Sequence, residues 1–273
     1  MPWEIFVPRP IESNQSQPPL KDINGTLLYL GDTTLDTAAC YLAGLLHRAG
    51  YSFEYRPSNH RLLADDLAAA DDLLILSDYP AAYVSEEIAA ELAERIRSGS
   101  LSLLMIGGWE SFEGCDGHWH GSPLADVLPV VVSDQDDRRN IDRPTFVQCK
   151  IADHPVTANL PWAERPPLIG GFNQVEAKLG SEVLLTAEVH DARLTNAGYE
   201  LSPAESHPLL VVQDLGNSRV AALMTDLAPH WVGPLVDWGP TRVVAKANGG
   251  EQIEVGSDYA RFVEQLIGWL VSR

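Results

Sequence analysis

Between residues 25 and 106 the chain alternates short apolar runs with helix-patterned segments, and this alternation constrains the fold more than any other feature. Thr26-Leu27-Leu28-Tyr29-Leu30 reads as a strand that stops at Gly31-Asp32. Thr33 to Ala49 carries apolar residues at helical spacing, and Gly50 follows where a helix-ending glycine belongs. Ser52 to Arg56 alternates like a strand, and Leu62 to Ala70 reads as a short helix. Asp72 to Ser77 is a buried strand. Ser85-Glu86-Glu87 opens a helix with a hydroxyl cap and acids in its first turn, and that helix runs to about Arg97. Leu101 to Ile106 is the fourth strand. Strands that are apolar on both faces and separated by helices predict a parallel sheet covered on both sides. The expected fold is α/β, a three-layer sandwich around a flavodoxin-like sheet.

The second half is less regular. Pro129–Val132, Thr145–Lys150, Glu182–Ala187, Leu209–Gln213 and Arg219–Thr225 read as strands, with a charged loop over residues 134–144. The final helix runs from Ser257 to Val271, with a broad apolar face from Tyr259 to Leu270. Strands dominate from 129 to 225, so an antiparallel extension of the sheet is expected. Residues 1–24 hold prolines, Gln, Ser and Asn and read as an extended N-terminal arm, whose apolar tip (Trp3, Ile5, Phe6, Val7) suggests that it packs on the domain or on a neighbouring subunit. With no clean linker after it, residues 25–273 read as a single domain, in a chain expected to form a homo-oligomer.

Charge narrows the partners. With 38 acidic against 19 basic residues the formal net charge is -19, which repels nucleic-acid backbones and anionic lipid surfaces. Neither nucleic acid nor membrane is an expected partner. The start of the chain has no basic and apolar leader pattern, and no run reaches the ~18 apolar residues of a membrane span. A cytoplasmic location is expected. The three cysteines, Cys40, Cys115 and Cys149, are odd in number and widely spaced, which implies no disulfide framework.

Chemistry concentrates at strand ends. The strand Leu101–Ile106 runs into Gly107-Gly108-Trp109-Glu110-Ser111-Phe112, and the strand before it ends in Ser77-Asp78. The strand 219–225 leads to Asp226 and then Pro229-His230-Trp231. If that strand is parallel to the others, Asp78, Glu110, Asp226 and His230 line one cleft. His230 would be a base or ligand donor with Asp226 as its orienter, and Glu110 or Ser111 its catalytic companion. Asp78, Gly107, Gly108, Trp109 and Trp231 would bind ligand, the amides after Gly107 forming an anion or oxyanion pocket. Trp109, Trp119, Trp231 and Trp238 offer a stacking platform for a sugar, or else ordinary loop packing. Cys115, His118 and His120 have soft-ligand spacing for zinc, but no fourth ligand is evident and no cofactor is expected. Gly107-Gly108 lacks both the dinucleotide fingerprint and a phosphate-loop lysine, which argues against a nucleotide.

These segments carry a family resemblance. The order of elements resembles a class I glutamine amidotransferase-like domain. Its oxyanion-side loop corresponds to the end of Leu73–Ser77, its nucleophile elbow to the end of Leu101–Ile106, and its catalytic histidine to His230. The motifs Gly-Gly-Trp-x-Ser-Phe from Gly107, Trp-x-Gly-x-Pro-Leu-x-x-x-Leu-Pro-Val from Trp119 and Asp-x-x-Pro-His-Trp from Asp226 are similar to a bacterial branch of that superfamily with no attached activity. The departures bear on function. A glutaminase needs a thiolate on a Gly-x-Cys-x-Gly turn, a histidine base and a carboxylate that orients it. The turn here reads Gly107-Gly108-Trp109-Glu110, Cys115 lies several residues downstream, and His230 is followed by Trp231-Val232, not by the family's His-x-Glu. The expectation is therefore an amidotransferase-like protein without glutaminase activity, whose cleft takes a small polar ligand or a partner. Two alternatives stay open: a hydrolase of carbohydrate-like or amide substrates using His230 with Glu110 or Ser111, and a structural or interaction protein.

Overall fold

The four apolar runs of the first half become strands Leu27–Gly31 (β1), Phe53–Arg56 (β2), Leu73–Ser77 (β3) and Ser102–Ile106 (β4). A computed structural model describes residues 26–272, so the arm expected over 1–24 lies outside the described residues. Thr145–Cys149 (β5), Glu182–Thr195 (β6), Gly198–Asp214 (β7) and Arg219–Leu223 (β8) complete an eight-stranded sheet in the order β2-β1-β3-β4-β8-β7-β6-β5. The first five strands in that order are parallel; β7, β6 and β5 are joined by antiparallel ladders. This is the mostly parallel α/β sheet with an antiparallel extension that the sequence predicts.

The helices follow from the crossovers. Ala39–Arg48 (α1) links β1 to β2, leftward along the sheet, and Glu86–Arg97 (α2) links β3 to β4, rightward. Right-handed crossovers in opposite directions place their helices on opposite faces. Ser85 caps α2 by accepting a hydrogen bond from Ile88 N at 3.3 Å. A short helix, Pro123–Val127 (α3), precedes the second half, and Ser257–Val271 (α4) closes the chain. Covered on both sides, β1, β3 and β4 are buried at every residue, which is why they read as continuous apolar runs. No helix among the described residues is long and apolar enough to cross a membrane.

Several boundaries differ from the sequence reading, each for a local reason. Helix α1 starts at Ala39, not Thr33, because Thr34 and Thr37 bond each other's backbone and side chains in a preceding turn. The helix expected over Leu62–Ala70 is a 3-10 segment, Ala64–Ala69, pinned when Asp66 Oδ2 accepts from Leu63 N at 3.0 Å. Pro129–Val132 contributes only Val130–Val131, which pairs with Glu176–Ala177 outside the main sheet. The charged segment 134–144 contains a strand, Arg138–Asn140, paired with Gly171–Asn173. Strands β6 and β7 extend far beyond their apolar parts, as a hairpin whose polar outer half has no core to pattern it. A further hairpin, Arg242–Lys246 with Gln252–Gly256, precedes α4.

One register relation positions everything that follows. Gly31 pairs with Ser77, Ser77 with Ile106, and Ile106 with Leu223. The carboxyl ends of β1, β3, β4 and β8 therefore stop in one row. The chain reverses between β1 and β3, the switch point where open α/β sheets form ligand crevices. Gly31 has φ +126°, and a Cβ there would lie 1.5 Å from Ser77 O. Gly31→Ala is accordingly expected to abolish folding, seen as loss of cooperative thermal unfolding. Leu104, fully buried in β4, sets the scale for ordinary core loss: Leu104→Ala should cost about 2–5 kcal/mol in urea titration with an unchanged m-value.

Candidate functional site

Immediately beyond the row of strand ends stand Asp32 and Asp78, both with left-handed backbones (φ 49° and 45°). Such conformations are costly for residues with a Cβ and gather where a site demands them. In β1, the Tyr29 hydroxyl donates to Asp32 Oδ2, and the Tyr55 hydroxyl donates to Gly31 O at 2.9 Å. Asp32 is almost fully buried. Burial, with Asp226 and Asp78 nearby, holds its carboxyl well above the usual carboxylate range, against the opposing hydrogen bonds.

The turn after β4 is built around Asp78. Its Oδ1 accepts the Glu110 N–H at 2.8 Å, and a Cβ on Gly108 would lie 2.0 Å from the same oxygen. The Ser111 hydroxyl donates to Ile106 O at 2.6 Å and accepts the Asp78 N–H at 3.0 Å. Gly107 is equally constrained: a Cβ would lie 2.2 Å from Met224 O. Gly108 N donates to Asn173 Oδ1 at 3.0 Å, while Asn173 Nδ2 donates to Asp137 Oδ1 at 2.7 Å. Two amides expected to form an anion pocket thus bind the protein's own oxygens, one of them a carboxylate. Ser111 is buried and hydrogen-bonded on both sides, a brace between β3 and β4 with no hydrogen bond to His230 among the described residues.

Strand β8 is parallel to β4, so His230 does reach this edge. Asp226 is buried, and its Oδ1 accepts the Ala228 N–H at 2.8 Å. Its Oδ2 faces His230 Nδ1 at 3.4 Å. The His230 side chain is 70% exposed. The Asp226 carboxylate raises the imidazole pKa above its ordinary value, against a smaller effect of burial. The Tyr259 hydroxyl, from α4, holds this loop through Leu227 O at 2.5 Å. Asp78 lies within the field of both groups. Burial and then Asp226 push its carboxyl up to about 7, while the Glu110 N–H and His230 pull it down. Glu110 itself is half-buried and raised by burial and by Asp116. Asp78, Asp226 and His230 therefore come together, with Glu110 beside them through its amide.

The aromatic and soft-ligand residues disperse. Trp109 is 52% exposed, with the Arg138 guanidinium 4.8 Å from its ring centroid. Trp119, Trp231 and Trp238 are buried and bond Tyr79 O, Asn140 Oδ1 and Arg165 O at 3.0, 2.8 and 2.7 Å. Of the expected platform only Trp109 presents a face. His118 Nδ1 lies 3.4 Å from Glu113 Oε1, and His120 Nδ1 lies 3.0 Å from Val132 O. Cys115 is exposed, and among the described residues no group of three or more His, Cys, Asp or Glu could hold a metal ion.

Sequence reasoning missed Asp32, Asn173 and Asp137. Asp32 carried a usable signal, since Gly31-Asp32 ends the first strand of a sheet whose switch point lies there. Asn173 and Asp137 carried none, because they come from irregular segments and meet only in three dimensions. The buried carboxyl of Asp78 supplies a test. The folded protein holds its proton to about pH 7 and the unfolded chain releases it near pH 4. The folded state thus binds more protons in between, so the protein loses stability as pH rises from about 4 to 7 and no further above that. Asp78→Asn should therefore gain Tm relative to the parent, the gain growing between about pH 4 and 7 and levelling off above. A gain independent of pH would refute the assignment.

The GATase1_like family model, described as "Putative glutamine amidotransferase", matches residues 30–244. No curated protein matches the chain. Among solved structures, cytoplasmic protein STM3548 of Salmonella typhimurium is 21% identical, covering 90% of this chain and 99% of its own, with a TM-score of 0.66. Cytoplasmic protein STM1381 of Salmonella typhimurium LT2 is also 21% identical, over 90% of this chain and all (100%) of its own, with a TM-score of 0.63. The mmIFT52 N-terminal domain, 11% identical over 91% of this chain and 98% of its own, gives a TM-score of 0.50. These structures share the fold.

Proposed function

This chain belongs to the GATase1_like family, and from that premise we propose that it does not hydrolyse glutamine and instead binds a small polar, hydroxyl-rich ligand at the carboxyl edge of its sheet. One observation carries the reading. The turn that a glutaminase keeps for its nucleophile and oxyanion holds Trp109 and Glu110, and the Asp78 carboxylate sits on its Glu110 amide. An acyl oxyanion brought there would find the Glu110 amide already donating to Asp78. In this reading Ser111 does not take the place of the missing thiolate, which its hydroxyl's bond to Ile106 O supports.

The same edge suits a ligand that donates hydrogen bonds. Asp78 and Glu110 are acceptors for hydroxyls, and His230 is held through Nδ1 with the rest of its ring toward solvent. The exposed face of Trp109 lies one residue from both Gly108 and Glu110, and a carbohydrate ring can stack on it. A second reading, general acid–base hydrolysis of such a ligand, is favoured by one further feature. Asp78 titrates at about 7 within the field of a histidine whose pKa is raised, and catalytic acid–base pairs have this character.

Calorimetric titration with a panel of monosaccharides, disaccharides and polyols tests the binding reading. Saturable binding by the parent, weakened at least about tenfold in both Asp226→Asn and Trp109→Ala, is the expected result (about 1.4 kcal/mol or more). A panel without a binder, or binding indifferent to both substitutions, would overturn it. Incubation with glutamine should release no ammonia above background. Release that disappears in Cys115→Ser would restore the glutaminase.

A further inference from the structure

Arg219 begins β8, at the sheet edge opposite His230. There it borders a concavity of about 470 Å³, with Pro155, Arg261, Gln265, Gly268 and Trp269 among the other walls. The Arg219 guanidinium is fixed before any ligand arrives. Its Nη1 donates to Trp269 O, its Nε faces Asp214 Oδ2 at 3.4 Å, and its carbon lies 5.0 Å from the Trp269 ring centroid. Arg261 bonds a backbone carbonyl, Asn159 O, at 3.3 Å. Glu264, which also lines the concavity, is engaged by Arg48. In a chain of formal charge -19, the lining of this hollow carries two guanidinium groups, one of them ion-paired with Asp214, against one carboxylate that Arg48 engages.

Two features of α4 shape the hollow. Gln265 Nε2 donates to Pro155 O and Ala158 O at 2.8 and 3.0 Å, yet its buried Oε1 has no partner. That oxygen is sealed from solvent, so Gln265 contributes to the wall through the two bonds that its amide donates. Gly268 lies inside α4, one turn from both Gln265 and Ser272. Glycine weakens a helix interior, and here its missing side chain keeps the floor of the hollow open.

We propose that this concavity binds the oxyanion group of a small metabolite, a phosphate or a carboxylate. Arg261 and the Nη2 of Arg219 would donate to the anion. The site is separate from the His230 edge and independent of what binds there.

Titration calorimetry on the full chain at constant ionic strength, with inorganic phosphate and with acetate, decides it. Saturable binding of at least one anion is expected, and the stronger one identifies the class. That binding should weaken at least about tenfold in Arg261→Gln and in Gly268→Leu, which fills the hollow with a good helix former. It should persist in His230→Ala. Absence of saturable binding of either anion overturns the proposal. So does binding unchanged in Arg261→Gln, or binding lost in His230→Ala.

Discussion

The levelling of four parallel strands at Gly31, Ser77, Ile106 and Leu223 is the constraint on which the rest of the molecule depends. Parallel pairing with no offset brings the residues after those positions into one narrow band. Close approach there is possible only because Gly31, Gly107 and Gly108 lack side chains, each abutting backbone or carboxylate oxygen of a neighbouring strand end. The band then collects Asp32, Asp78 and Asp226, and burial together with the neighbouring Asp226 raises the pKa of both Asp32 and Asp78. Fold and electrostatics are thus one problem at this edge. The register that makes the sheet also concentrates the charge.

A second layer of polar contacts ties the irregular half of the chain to that edge. Asn173 reaches Gly108 on both its N–H and its carbonyl, and its own N–H donates to Met224 O at 2.8 Å. Thr225 bonds Gly171 O at 2.9 Å, and Gly170 N bonds Trp231 O at 2.6 Å. The strand Gly171–Asn173 therefore seals the turn after β4 against the loop carrying His230. Buried polar groups with few alternatives to these partners make such a seam specific, since breaking one bond leaves an unsatisfied group behind.

The parallel half was legible because burial on both faces writes itself into sequence as apolar runs punctuated by glycine. Leu27–Gly31, Leu73–Ser77 and Ser102–Ile106 fall where the runs predict them. The outer half of the β6–β7 hairpin was not legible. Residues such as Asp191, Arg193, Glu200 and Ser202 pair across a ribbon with no core beneath, so neither alternation nor apolarity marks them. At the site, Asp78, Asp226 and His230 were legible as strand-end residues. The role of Ser111 was not, because a serine after a strand has the same pattern whether its hydroxyl attacks a substrate or bonds Ile106 O.

What the sequence determined by itself was the kind of layer: strands buried on both faces, helices between them, and glycine turns with polar residues at the strand ends. Those features are local, set by periodicity and by backbone freedom. What only the tertiary structure decided was the direction of β8, the seating of the Asp78 carboxylate on the Glu110 amide, and the pairing of Asp226 with an exposed His230. Each joins segments tens to more than a hundred residues apart or depends on how a chain turn is packed. Hydrogen bonds and charge coupling act over a few ångströms of space, and spacing along the chain does not encode which groups will be brought that close.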